Sequence, residues 1–328
     1  MIGLGLQSDR PLAEYGELAA TVEGAGFASV CVFNDLWFQP PLAALLEIAR
    51  ATSRIRVGPA CLNPFTLHPV EIAGQVAMLD EASAGRSYLG LASGAWLGEL
   101  GIAQDRPVTA VREAWEVVRR LLAGDSAGFS GARFSLPAGR VLRYRRVRPG
   151  VPLLIGAWRP GLVALAGELA DELKIGGSAN PSMVAIARER LERGADGAGW
   201  ATGDVGIVFG AVTVVDEDGA RARARARRAV LLYLPVVGPL DPASSLDPEL
   251  LARLAALSEA GRVDEAAAQI PDAVLRRFSF AGTPAQVAGQ AREVLEAGAQ
   301  RVEFGPPHGL DARGGVRLLA ERVAPLVR

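Results

Sequence analysis

The sequence predicts an α/β fold, a (β/α)8 barrel with insertion segments over its C-terminal face. Three observations carry this expectation. Eight short apolar strand segments alternate with amphipathic helical ones along the chain. The chain has 328 residues, half of them apolar, which exceeds the roughly 250 such a barrel needs and leaves room for insertions. No composition shift marks a linker, so residues 1–328 read as one domain.

The predicted strands are residues 2–7, 29–33, 55–61, 86–93, 151–157, 172–178, 205–215 and 301–305. Between them, residues 68–83 align Ile72, Val76 and Leu79, widened by Ala73 and Ala77, on one helical stripe. Residues 107–122 do the same with Val111, Ala114, Trp115, Val118 and Leu122. Thr283-Pro284-Ala285-Gln286 has the form of a capping box with proline in the first turn. VEGAGFASVCVF and LEAGAQRVEF echo each other as helix end, glycine, short link and strand, with glycine supplying the left-handed cap. Two stretches break the alternation. Residues 124–150 read as a loop or hairpin insertion, and residues 216–282 as a longer helical one.

The totals exclude several classes. A net charge of −1 offers no basic field for nucleic acid or an anionic membrane surface. No apolar run reaches the roughly 18 residues that span a bilayer, and MIGLGLQSDR lacks a charged start before its short apolar stretch. The expectation is a soluble, cytoplasmic protein. Cys31 and Cys61 make neither a disulfide framework nor a metal set. Lys174 is the only lysine, a skew that fits a GC-rich genome.

Candidate chemistry sits just after the strands. IRVGPACLNPF (55–65) begins as a strand, then meets Gly58, Pro59 and Pro64. Such a segment marks a bulge or a close ligand approach. Gly156-Ala157-Trp158-Arg159-Pro160 follows a strand and opens a helix, leaving free N–H groups suited to a phosphate or carboxylate. Gly176-Gly177-Ser178-Ala179-Asn180-Pro181 repeats the arrangement; ordinary βα turns are the alternative. Lys174 and Glu303 lie on strands six and eight, which share interior layers, so the two are expected to meet inside the barrel. His68 precedes Pro69 at a helix entrance, where a structural role is expected. His308 either faces the mouth or lies on a solvent-exposed loop. RARARARR (221–228) reads as a solvated helix face.

GPACLNPF…HP…LDEASAGRSYLGLASG (58–94), GAWRPGLVALAGELADELKIGGSANP (156–181) and FSFAGTPAQV (278–287) resemble the luciferase-like superfamily of flavin- and deazaflavin-dependent barrels. The pattern is similar to the methylenetetrahydromethanopterin reductase branch, which uses coenzyme F420. It runs in order from Gly3 to about Phe304. The resemblance implies a non-proline cis peptide behind the deazaflavin ring, placed here at Ala60–Cys61, with Asn63 following in the same motif. Cys61 is then structural; no histidine or lysine lies near it in sequence to make it a nucleophile.

The family's Asp-His pair after the second strand corresponds here to Asn34-Asp35. Asn34 would hydrogen-bond the coenzyme's pyrimidine or hydroxyl edge. Asp35 would be the catalytic proton partner, which requires a raised pKa. Ala92, Ser93 and Gly94 would line the coenzyme, but the acid expected next is replaced by Ala95, leaving Glu99 as the nearest carboxylate. Gly156, Ala157, Trp158 and Arg159, with Gly176, Gly177 and Ser178, match segments that wrap the phosphate tail. The arginine run RVLRYRRVRPG (140–150) binds the coenzyme's polyglutamate tail, lies against a partner subunit, or is a solvated insertion.

The implied activity is hydride transfer between deazaflavin C5 and a small substrate, a methylenetetrahydromethanopterin-like pterin or another imine or enone, by a homodimer. Two alternatives stay open at this point. One is an FMN-dependent monooxygenase of the same superfamily; the other is a non-catalytic flavin- or deazaflavin-binding barrel.

Overall fold

A computed structural model describes residues 1–198, 205–244 and 246–327. Its frame is a ring of eight parallel strands: β1 (Ile2–Leu6), β2 (Ser29–Phe33), β3 (Arg56–Ala60), β4 (Leu89–Ala92), β5 (Leu153–Gly156), β6 (Glu172–Gly176), β7 (Gly206–Val215) and β8 (Arg301–His308). These are the eight strands the sequence predicts. Their spatial order is β3-β2-β1-β8-β7-β6-β5-β4. Bridges Val57↔Ser87 and Leu62↔Leu91 bring β3 against β4 and close the barrel. That seam is sparse because Pro59 has no N–H to give to a ladder.

Alternation sends odd and even residues of each strand to opposite faces. In β1, Leu4 and Leu6 are fully buried against the helical layer. Gly3 and Gly5 face inward: a Cβ on Gly3 would come within 3.1 Å of Glu303, and one on Gly5 within 2.8 Å of the Phe33 ring. The outer helices pack closely enough that a Cβ on Gly194 would overlap the Ala164 carbonyl. The helix Pro69–Ala82 is capped by His68, whose Nδ1 accepts the Val70 N–H at 3.2 Å, the structural role expected of it. The helix Pro284–Glu296 opens with the expected capping box.

The lower interior is filled by charge. Arg301 donates to both oxygens of Glu172 at 2.5 and 2.9 Å and to Glu303 at 3.2 Å, and Arg56 reaches Glu172 at 3.0 Å. One layer higher, Lys174 pairs with Glu303 at 2.5 Å, with the Cys31 thiol 3.4 Å from each. The expected meeting of Lys174 and Glu303 inside the barrel is therefore present. Burial opposes the Glu303 charge, yet Lys174 and Arg301 hold its carboxyl well below the usual carboxylate range.

Three features depart from the sequence expectation. The last strand does not stop at residue 305 but runs to His308, through a cis Pro306–Pro307 bond and a register shift against β7. Consecutive prolines read as a strand end because neither can donate, and the bulge accommodates them. The segment 216–282 is helical as expected but ends in a ninth strand, Ser279–Gly282, on the upper half of β7. Its long helix Gly219–Val237 lies over the C-terminal face, with Val237 above Gly177 and Tyr233 against Trp96.

The segment 124–150 carries a short hairpin, Phe129–Ser130 with Ser135–Leu136. It runs along the outside of the helix Pro69–Ala82, from Phe134 against His68 to Arg148 on Asp80 and the Ser87 carbonyl. Arg148 is thus drawn out of the arginine run into a structural ion pair. Among the described residues no helix is long and apolar enough to cross a membrane.

Glu303→Gln removes the counter-charge of buried Lys174 and should cost about 3–5 kcal/mol, read as a lower urea midpoint. The paired replacement Lys174→Met/Glu303→Leu should recover much of that loss, since it leaves no lone charge at this level.

Candidate active site

The inward positions nearest the C-terminal ends of the strands are nearly bare. On β1 to β6 strand alternation assigns them to Gly5, Phe33, Ala60, Ala92, Gly156 and Gly176, and on the two longer strands it turns Gly210 and Gly305 inward below the strand ends. Only Phe33 carries more than a methyl group. At Gly176 an added Cβ would meet nothing within 4 Å. A barrel interior of this type is ordinarily filled by side chains throughout. Here Phe33 fills the space beside Gly5 and Cys61 that beside Gly156, while the space beside Gly176 stays open.

The floor of that space is where IRVGPACLNPF turns. The Ala60–Cys61 peptide is cis, as expected, and a Cβ on Gly156 would lie 2.9 Å from Cys61 Sγ. Glycine at 156 is what lets the turned chain press against β5. Burial pushes the Cys61 thiol up to about 12, so this sulfur packs rather than reacts. Asn63 is buried, and its side-chain carbonyl accepts from Phe65 N, Thr66 N and the Thr66 hydroxyl at 3.0–3.1 Å. That oxygen closes its own turn.

Asn34 and Asp35 leave β2 at the rim, both half-buried. Burial raises the Asp35 pKa, the condition a proton partner there must meet. Trp37 follows in a left-handed conformation (φ 71°), and its indole N–H donates to Glu99 at 3.1 Å. Glu99 therefore closes a rim contact, with both partners exposed. After β4, Gln104 donates to the carbonyls of Ser93 and Gly94 at 2.5 and 2.9 Å and fixes the turn from Ala92.

The two expected anion turns differ. Gly156, Ala157, Trp158 and Arg159 lead into the helix Pro160–Leu169, which has no side-chain cap, and Arg159 is exposed, but the expected free donor at Ala157 is spent, its N–H donating to the Lys174 carbonyl at 3.0 Å. Trp158 Nε1 donates to the Gly176 carbonyl at 2.7 Å and ties the two turns together. In the second turn, however, Gly177 N and Ser178 N both donate to the Gly210 carbonyl. Ala179 N donates to Arg277 O, and Ser182 N to Asn180 Oδ1. The expectation of free backbone donors at Gly177 and Ser178 is corrected: β7 consumes them. Gly176 contributes open space and Ser178 a buried wall.

One group here, Gln7, escaped the sequence reading, and a second, His308, was left between two placements. Gln7 continues the inward parity of Gly3 and Gly5 to the top of β1 and is buried, a signal present in IGLGLQ. His308 is not on a solvent-exposed loop but fully buried, its Nε2 2.9 Å from the Gly5 carbonyl. Its position was hidden by the two prolines before it.

The family model for luciferase-like monooxygenases matches residues 2–301. The chain belongs to this family. Among luciferase-like relatives, it is 27% identical over 342 residues to the 5,10-methylenetetrahydromethanopterin reductase of Methanopyrus kandleri, covering 98% of this chain and 97% of that one. It is 30% identical over 293 residues to a putative coenzyme F420-dependent oxidoreductase of Mycobacterium tuberculosis, covering 82% and 84%. The solved coenzyme F420-dependent tetrahydromethanopterin reductase of Methanopyrus kandleri superposes with a TM-score of 0.90 at 25% identity, over 100% of this chain and 99% of that one.

His308 gives this luciferase-like barrel a pH signature. Burial lowers its pKa from 6.5 to about 4, so the folded state favours the neutral ring. Its contribution is complete above about pH 6.5 and is lost as pH falls toward 4, up to about 3 kcal/mol. Urea unfolding between pH 7 and pH 4.5 should show a steeper loss for the wild type than for His308→Gln.

Proposed function

We propose that this chain is a coenzyme F420-dependent oxidoreductase, moving a hydride between deazaflavin C5 and a small substrate over the ring. The observation that carries the proposal is the bare upper layer of the barrel floored by Ala60–Cys61, in a chain whose full-length relatives are F420-dependent enzymes. Ala60, Cys61, Asn63, Ala92, Ser93 and Gly94 would line the ring, with Asn34 donating to its polar edge. Gly156, Ala157, Trp158 and Arg159 would meet the phosphate at the uncapped helix start, with Gly176, Gly177 and Ser178 beside it. The donor set fits an anionic, planar cofactor: an open helix end, an exposed guanidinium and a glycine-lined hollow.

The chain's own contribution is position and exclusion of water. The helix Gly219–Val237 covers the face, and the Trp96–Tyr233 contact, with ring centroids 6.0 Å apart, closes one side. Asp35 holds a proton at the rim, and its raised pKa keeps the protonated form to higher pH. The substrate class that fits is a reduced pterin such as methylenetetrahydromethanopterin, or another imine or enone. The same reading makes the protein a cytoplasmic homodimer, carried over from the family resemblance. The FMN-dependent and non-catalytic alternatives draw no support from the F420-dependent relatives.

Fluorescence titration should show coenzyme F420 binding at least tenfold tighter than FMN, about 1.4 kcal/mol; a preference for FMN rejects the proposal. With Asp35 as proton donor, turnover should decline as pH rises through its pKa. Asp35→Asn should lower kcat by about 10²-fold and abolish that decline. An unchanged pH profile in the variant removes Asp35 from the mechanism.

A further inference from the structure

Among the described residues, six buried side-chain nitrogen or oxygen atoms have no hydrogen-bond partner, and four of them belong to three residues at the upper ends of β1 and β8. They are Gln7 Nε2 and Oε1, Arg10 Nε and His308 Nδ1. These two strands pair side by side. The other two, Ser29 Oγ and the Tyr88 hydroxyl, belong to the barrel interior.

Gln7 is the most telling of the group. It is 4% exposed, and neither half of its carboxamide has a partner at hydrogen-bond distance, although it lies close enough to the Asp35 carboxyl to oppose the rise in that group's pKa. Its backbone is fixed, since the Tyr15 hydroxyl donates to the Gln7 carbonyl at 2.9 Å. Inward-facing Gly3 and Gly5 precede it on the same strand, so alternation aims its side chain toward the barrel axis above the bare layer. Burying an unsatisfied amide is unfavourable, and a methionine of similar length would fill the same space without that cost. The fold does not need the amide. His308 adds an acceptor: with Nε2 bound to the Gly5 carbonyl, Nε2 carries the proton and Nδ1 is a bare lone pair.

We propose that Gln7, next to Asp35 and with His308 Nδ1 as a further acceptor at the same strand ends, forms a subsite that reads a planar cyclic-amide edge, a ring C=O next to a ring N–H. A carboxamide presents one donor and one acceptor in one plane, and the complementary shape is a lactam. Pyrimidinone rings carry it, and they occur both in reduced pterins and in the tricycle of a flavin or deazaflavin. The subsite therefore serves either the substrate or the coenzyme. This assignment rests on the proposed function for where the two ligands lie, but its chemistry does not depend on which coenzyme binds.

The test uses the full chain, with coenzyme F420, FMN and 6-methyltetrahydropterin as probes and thermal unfolding of the ligand-free protein as a second readout. Gln7→Met should unfold at the same or a higher temperature than the wild type, because it removes an unsatisfied buried amide. It should weaken binding of at least one probe tenfold or more. Gln7→Glu, which keeps the acceptor and removes the donor, should also weaken that probe.

A loss confined to F420 or FMN places the amide on the coenzyme; a loss confined to the pterin places it on the substrate. A fall of several degrees in the Gln7→Met melting temperature, unchanged affinity for all three probes, or no binding of any probe by the wild type overturns the assignment. Wild-type binding of FMN but not F420, with the Gln7 effect intact, rejects the coenzyme assigned above and keeps the subsite.

Discussion

The barrel is filled from below by charge and left bare above, and the Lys174–Glu303 pair is where one condition gives way to the other. Beneath it, Arg301, Glu172 and Arg56 occupy the axis with carboxylates and guanidiniums bonded to one another. Above it, the inward positions are almost all glycine or alanine. Two charges in a dry interior are tolerable only when paired and hydrogen-bonded. The pair therefore makes a rigid platform, and Lys174 Nζ also sits 5.1 Å from the centroid of the Phe33 ring. Every feature of the mouth is placed relative to that platform: the cis turn at Ala60–Cys61 on one side, the Gly210 carbonyl on another, and Gln7 on top of β1.

Much of the architecture was legible because a parallel barrel writes itself into the chain as a repeated alternation. Each of the eight strands has an apolar run followed by a turn and a helix, and neither tertiary packing nor a ligand is needed to see it. The cis turn was legible only through family likeness, since GPACLNPF by itself says no more than that regular pairing is broken there. The Lys174–Glu303 meeting followed from the rule that alternate strands share interior layers.

What stayed hidden depended on contacts between distant segments. Gly177 and Ser178 look like free donors in sequence, and only the approach of Gly210 shows that they are spent. His308 after two prolines could face the mouth or solvent, and only the bulge in β8 shows it turned under the Gly5 carbonyl. Arg148 belongs to an arginine run that reads as solvated until the helix Pro69–Ala82 supplies Asp80. Gln7 had a visible parity, but its missing partners are a property of the closed barrel. The functional corner was thus the least legible part, because a ligand site is where local rules of satisfaction are left open.

The central claim is that the bare layer at the mouth is the seat of coenzyme F420. Gly176→Leu tests it most directly, since an added Cβ there meets no atom of the protein within 4 Å. With the coenzyme seated there, the variant unfolds at the wild-type temperature and fails to quench or shift F420 fluorescence on titration. A Gly176→Leu protein that binds F420 as tightly as the wild type would contradict it.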